Sequence, residues 1–111
     1  MHELSITRNI VSIVAEKAAG RRVEGVRLQI GKLSGIEVQA IRFCYDVCAA
    51  GTVLEGSKLD VDEVAGEARC TECDKTLPIE HFTARCPCEK RARVEITRGE
   101  ELLIKEMEVA S

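Results

Sequence analysis

The stretch CTECDKTLPIEHFTARCPC, residues 70–88, decides the architecture of this chain because it holds four of the six cysteines. Cys70 and Cys73 form a CxxC pair, and Cys86 and Cys88 form a CxC pair after twelve intervening residues. Two turns that carry paired thiolates are typical of a tetrahedral zinc site with a hairpin between the turns. Because about thirty residues cannot bury enough apolar surface to fold alone, the spacing predicts a small zinc-ribbon-like lobe stabilised by structural zinc.

Two alternatives remain open for this cysteine block. The first is a redox CxxC, although such a pair normally lies at a helix N-terminus and no helical pattern follows Cys73. The second alternative is that another residue replaces one of the cysteines as the fourth zinc ligand. The single spacer residue, Pro87, tightens the turn between Cys86 and Cys88 and removes a backbone amide that could donate to sulfur. His81 could then substitute as a ligand, or be an exposed loop imidazole. Four thiolates leave no open position for water, so the predicted role is structural.

Before the cysteine block, the chain predicts a helix, a strand and a second helix. Apolar residues at helical spacing run through residues 5–19, and residues 26–30 alternate apolar and polar as a half-buried strand. Ser34 and Glu37 have the spacing of a capping box, which predicts that Ser34 starts the second helix. Cys44 and Cys48 lie on the apolar face of that helix, where we expect them to pack in the core rather than bind metal.

Three further strands are predicted, at residues 58–62, as a short strand at Val94 and Ile96, and at residues 102–109. The order of elements predicts an α+β fold, with two helices packed on a three-stranded sheet and a small zinc-ribbon-like insert lobe. The α+β domain is predicted to comprise residues 1–66 plus 99–111. The lobe is predicted to comprise residues 67–98.

Composition excludes several classes of protein. The formal net charge is −3 and aromatic residues make up 3% of the chain, which disfavours nucleic-acid binding. No apolar run approaches the roughly 18 residues of a membrane span, and the chain start lacks the pattern of a signal peptide. We therefore expect a cytoplasmic protein whose cysteines are thiols or metal ligands. No acid–base pair or nucleophile–histidine arrangement is visible, so no enzyme is predicted.

The first three residues, Met1-His2-Glu3, form a second candidate metal site. The Met1 α-amine, the deprotonated His2 amide and the His2 imidazole could form fused chelate rings around one ion, and the Glu3 amide or carboxylate could complete a plane. Square-planar nitrogen and oxygen donors favour Ni(II) or Cu(II) over zinc. The amine and the imidazole must lose protons, so binding should weaken as pH falls. By itself, however, a histidine at position 2 is more typical of an incidental terminal residue.

Six segments, in order along nearly the whole chain, resemble the HypA/HybF family of nickel metallochaperones for hydrogenase maturation. The segments are Met1-His2-Glu3, Ile30-Gly31-Lys32-Leu33-Ser34, Phe43-Cys44, Cys70-x2-Cys73, Cys86-Pro87 and Thr97-Arg98-Gly99-Glu100-Glu101-Leu102. The chain departs from the family pattern at its second cysteine pair, where the family has C-P-x-C and one residue is missing here. This departure puts the geometry of the zinc site in question.

The resemblance implies two metal sites and a role that is not enzymatic. The nickel ligands would be Met1, His2 and Glu3. The structural zinc ligands would be Cys70, Cys73, Cys86 and Cys88. Nickel would pass toward the large subunit of nickel–iron hydrogenase, or in some members urease, with a GTPase of the same pathway as a partner. The alternative from another class is a zinc-ribbon interaction module that binds protein or nucleic acid.

Overall fold

The two predicted helices and the four predicted strands occur in the predicted order, and two short strands flank the first cysteine pair in addition. The computed structural model describes residues 2–111, and within them the chain forms two helices and six strands. They are α1 (Glu3–Ala18), β1 (Val23–Gly31), α2 (Val38–Ala49), β2 (Lys58–Val64), β3 (Glu67–Cys70), β4 (Thr76–Pro78), β5 (Val94–Arg98) and β6 (Leu102–Val109). The strands form two three-stranded sheets, ordered β2-β1-β6 and β4-β3-β5. The predicted α+β class is confirmed.

The chain folds as two compact units. The first unit contains the residues up to Gln29, together with Ile36–Asp62 and Leu103–Ser111. The second contains Ile30–Gly35 and Glu63–Leu102. Neither helix within residues 2–111 has the length and apolar character needed to span a bilayer. The functional division into a nickel-binding domain and a zinc-binding lobe stays a prediction.

The core of the first unit comes from regular spacing along its helices and along β1. In β1 the alternation predicted from the sequence buries Val26 and Leu28. In α2 the buried residues are Ile41, Tyr45 and Ala49, which recur every four positions on one side of the helix. The corresponding residues of α1 are Thr7, Ile10, Val11, Val14 and Ala18. Cys44 and Cys48, expected in this core, are only half-buried because they lie beside the buried stripe of α2.

The start of α2 differs from the capping box predicted for Ser34 and Glu37. The N-cap is Glu37, whose carboxylate accepts a hydrogen bond from the Gln39 amide at 3.1 Å. The Ser34 hydroxyl instead donates to the Gly31 carbonyl at 2.6 Å, because residues 32–34 form a turn directly after β1. The prediction was wrong because serine hydroxyls stabilise turns by the same kind of local hydrogen bond that caps helices.

Glycines allow the backbone segments of the second unit to approach one another closely. The Leu33 amide donates to the Gly99 carbonyl at 2.7 Å. A Cβ atom on Gly31 would lie 1.9 Å from that same carbonyl oxygen, and one on Gly66 would lie 2.5 Å from the Ile79 carbonyl oxygen. The backbone at Gly99 and at Ile79 cannot move aside without breaking the hydrogen bonds from Leu33 to Gly99 and from Ile79 to Gly66. Only glycine therefore fits at positions 31 and 66.

We expect Gly31→Ala to lower the free energy of unfolding by about 2–3 kcal/mol, because the added methyl group would overlap the Gly99 carbonyl. Chemical denaturation of the zinc-loaded protein measures this loss. Gly25→Ala is the matched control in the same strand, since its Cβ would lie 3.5 Å from the nearest atom, the Lys58 carbonyl oxygen. The control should stay within about 0.5 kcal/mol of the unaltered protein. Equal losses for both variants would contradict the close approach at Gly31.

Candidate metal centre

The four cysteines of residues 70–88 converge on one point of the second unit. Their sulfur atoms all lie within 4.8 Å of one another. The Cys70 and Cys88 sulfurs are 3.9 Å apart, and the Cys73 and Cys86 sulfurs are 3.6 Å apart. A tetrahedral zinc ion with Zn–S bonds of about 2.3 Å requires sulfur–sulfur distances of about 3.8 Å. The donor set therefore fits a four-coordinate zinc ion, and the short CxC pair supplies its second sulfur.

The first pair is held by the end of β3 and the turn that follows it. The Cys70 amide donates to the Lys75 carbonyl at 2.9 Å, which closes the turn. Within the turn, the amides of Glu72 and Cys73 both donate to the Cys70 sulfur at 3.4 Å. Amides aimed at a sulfur stabilise its thiolate form, which is the form that binds metal.

The second pair lies in a short loop, residues 86–92, whose two ends are hydrogen-bonded to each other. The Cys86 amide donates to the Ala92 carbonyl at 3.1 Å, and the Arg91 amide donates to the Cys88 carbonyl at 2.9 Å. Hydrogen bonds from the amides of Ala92 and Lys90 lower the pKa of Cys88. The loop therefore supplies the sulfur with donors that the Pro87 spacer cannot provide.

The thiols of the cluster differ in how readily they lose a proton. Hydrogen bonds from the Cys73 and Glu72 amides lower the pKa of Cys70 to about 6, whereas burial raises the pKa of Cys86 to about 12. The local hydrogen bonds therefore favour the thiolate form at Cys70, whereas burial favours the protonated form at Cys86. Metal binding at this cluster should therefore release protons.

His81, the alternative fourth ligand, is exposed and stands outside this cluster. The fourth position of the cluster is occupied by the Cys88 sulfur. Within residues 2–111, no other group of three or more histidine, cysteine or acidic side chains has the geometry to hold a metal ion.

The second candidate site lies at the start of α1, and Met1 lies outside the described residues. His2 is the N-cap residue of α1, and its exposed side chain makes no capping hydrogen bond. The His2 carbonyl accepts the Ile6 amide at 3.0 Å as the first hydrogen bond of the helix. The Glu3 carboxylate accepts the Glu37 amide at 3.0 Å. Sequence reasoning missed this last contact, because nothing local links two residues that are 34 positions apart.

An α+β unit joined to a unit in which four cysteine sulfurs converge defines a small metal-binding protein. The family described as "Hydrogenase/urease nickel incorporation, metallochaperone, hypA" matches residues 1–109. The hydrogenase maturation factor HypA of Trichodesmium erythraeum is 48% identical over 109 residues, which cover 98% of this chain and 96% of that protein. The HypA of Geobacter sulfurreducens is 43% identical over 109 residues, covering 98% and 99%. The chain therefore belongs to the HypA family of nickel metallochaperones, which are hydrogenase maturation factors and not enzymes.

Two solved structures have the same fold. The solution structure of the Ni metallochaperone HypA from Helicobacter pylori has a TM-score of 0.67 at 22% identity, and the match covers 98% of this chain and 97% of that one. A second solution structure of a HypA protein has a TM-score of 0.70 at 22% identity, covering 99% and 97%. The resemblance drawn from the sequence motifs is confirmed by the family match, and these structures confirm the fold.

Proposed function

We propose that this chain binds Ni(II) at its first three residues and delivers it for the maturation of nickel–iron hydrogenase. The observation that carries the proposal is the exposed His2 side chain ahead of α1, in a member of a nickel metallochaperone family. The ligands would be the Met1 α-amine, the His2 amide and imidazole nitrogens, and a donor from Glu3. Nickel is here the cargo of the protein and not a resident cofactor.

The start of α1 supports such a site because the helix does not depend on the groups that would bind nickel. The His2 amide precedes the first helical residue, so deprotonating it breaks no hydrogen bond of the helix. The His2 imidazole is exposed and accessible to an ion. Through its contact with the Glu37 amide, the Glu3 carboxylate is held against the start of α2. An open site of this kind allows a recipient's ligands to displace the donors one at a time.

We further propose that the four cysteines hold a structural zinc ion. Besides Ile30 and Val64, the buried apolar residues of the second unit form two small clusters, and one of them consists of Cys70, Cys86 and Ala92. The other is formed by Leu33, Ala68 and Ile79. Two clusters of three residues bury little apolar surface, so the free energy of zinc binding would supply much of the folding energy. Bound zinc would have four sulfur ligands and no open position for catalysis.

The proposed recipient of the nickel and the proposed partner protein follow from the family to which the chain belongs. The large subunit of nickel–iron hydrogenase is the proposed recipient, and a GTPase of the same pathway is the proposed partner. Urease, which the family description names, is a second proposed recipient. We place the protein in the cytoplasm, where reducing conditions keep its cysteines as thiols or metal ligands and not as disulfides.

Metal analysis of the untagged protein, before and after nickel addition, tests both sites in one sample. We expect one zinc ion per chain on isolation and one further nickel ion after addition, with no loss of zinc. Intact mass should show that the chain begins at Met1. A protein that takes up no nickel, or that loses zinc in exchange for it, would contradict the proposal. Salt-sensitive binding of DNA or RNA without nickel uptake would instead favour the zinc-ribbon interaction module.

A further inference from the structure

The second unit has a surface cleft next to the loop that carries the second cysteine pair. Its volume is about 320 Å³, and it is lined by Phe82, Thr83, Ala84, Arg85, Arg93 and Val94. Phe82 is 59% exposed. A large aromatic side chain left in water at the mouth of a cleft loses the free energy that burial would provide. The cleft therefore combines an apolar contact surface with two guanidinium groups.

The segment that carries five of the six lining residues, residues 81–93, has a charge opposite to that of the whole chain. Residues 81–93 contain four basic residues and one acidic residue, although the chain has a formal net charge of −3. In the same unit, Lys90 lies 3.1 Å from a Glu72 carboxylate oxygen and Arg69 lies 3.5 Å from an Asp74 carboxylate oxygen. Within the part of the chain that the structure describes, Arg85 and Arg93 have no such acidic neighbour. Their positive charge is therefore available to a partner.

We propose that this cleft docks an acidic peptide segment of a protein partner. An apolar side chain of the segment would cover Phe82, and its carboxylates would pair with Arg85 and Arg93. Guanidinium groups match carboxylates through two parallel hydrogen bonds, and aromatic and arginine side chains are enriched at the energetic centres of interfaces. This role goes beyond nickel binding and does not depend on His2.

A short acidic segment fits the cleft better than a nucleic acid does. Exposed glutamates at positions 80, 89 and 95 lie close in sequence to the lining residues and limit the extent of basic surface there, whereas a long phosphate backbone depends on many basic contacts. A segment a few residues long needs only the two guanidinium groups of Arg85 and Arg93, which both line the cleft. One exposed phenylalanine also offers little of the successive base stacking on which single-stranded nucleic acids depend.

The test uses the zinc-loaded full chain and a fluorescein-labelled hexapeptide, Glu-Glu-Leu-Phe-Glu-Glu, followed by fluorescence anisotropy at low and high salt. We expect binding that weakens as salt increases and that is lost when the peptide glutamates are replaced by lysine. Reversing both charges, with Arg85→Glu and Arg93→Glu together, should weaken binding by at least about tenfold. Phe82→Ser should weaken it by about fivefold, with a smaller change in salt dependence.

Arg98→Glu is the control because it makes one such charge reversal on an exposed residue of the same unit. Arg98 follows Arg93 by five residues, which corresponds to about 16 Å along an extended strand, and it does not line the cleft. This variant should change the affinity by less than about twofold, and the zinc content of every variant verifies its fold. Arg98→Glu weakening the binding as much as the double reversal would overturn the proposal. Tighter binding of a short DNA duplex than of the acidic peptide would overturn it as well.

Discussion

Blocking the Met1 α-amine with an amino-terminal extension, or making His2→Ala, is expected to abolish stoichiometric nickel binding. Each change removes one donor and at least one chelate ring, so we expect an affinity loss of at least about 100-fold, or roughly 3 kcal/mol. Calorimetric titration of the zinc-loaded protein with Ni(II) measures the loss. Zinc content and helix content should not change, because the His2 side chain makes no capping hydrogen bond to α1.

His81→Ala is the control for this experiment, because the chain contains only two histidines. His81 is exposed and lies outside the cysteine cluster, so its loss should leave both nickel and zinc binding as they are. Nickel affinity that is unchanged by both the extension and His2→Ala would disprove the amino-terminal site. That result would not affect the proposals for the cysteine cluster and for the cleft at Phe82, because neither involves His2.

Cys86→Ser is expected to release zinc and to unfold much of the second unit. The Cys86 side chain is buried, and its sulfur lies 3.6 Å from that of Cys73, so a hydroxyl cannot replace it as a soft ligand. In small zinc-dependent domains, zinc binding contributes on the order of 10–16 kcal/mol to folding. Metal analysis together with amide NMR spectra measures both effects. Signals of residues 63–102 should collapse toward unfolded positions, while helical circular dichroism persists because α1 and α2 belong to the first unit.

Cys48→Ser is the matched control for the loss of a thiol. Cys48 is half-buried on α2 and lies outside the metal-capable cluster. The control should retain one zinc ion per chain and the dispersed signals of the second unit. A Cys86→Ser variant that still binds stoichiometric zinc with high affinity would show that the fourth sulfur is not needed.

The sequence predicted those features of the fold that depend on neighbours along the chain. Alternation in residues 26–30 and helical spacing in residues 5–19 were enough to place β1 and α1, because apolar periodicity is a local property. The start of α2 was misplaced at Ser34, because a serine side chain can cap a helix or stabilise a turn with the same hydroxyl. Whether the Ser34 hydroxyl caps the helix or stabilises the turn depends on which backbone groups lie near it in the folded chain.

The sequence by itself determined the cysteine pairs, the Met1-His2-Glu3 motif and the membership of a nickel metallochaperone family, because these are properties of residue type and spacing. Only the tertiary structure decided that a CxC pair can complete a four-sulfur cluster. It also decided that the Glu3 carboxylate meets the start of α2 and that Arg85 and Arg93 share one cleft. Each of these depends on distances between residues far apart in the chain. Such distances are set by how the backbone packs and closes its hydrogen bonds, and they leave no local pattern in the sequence.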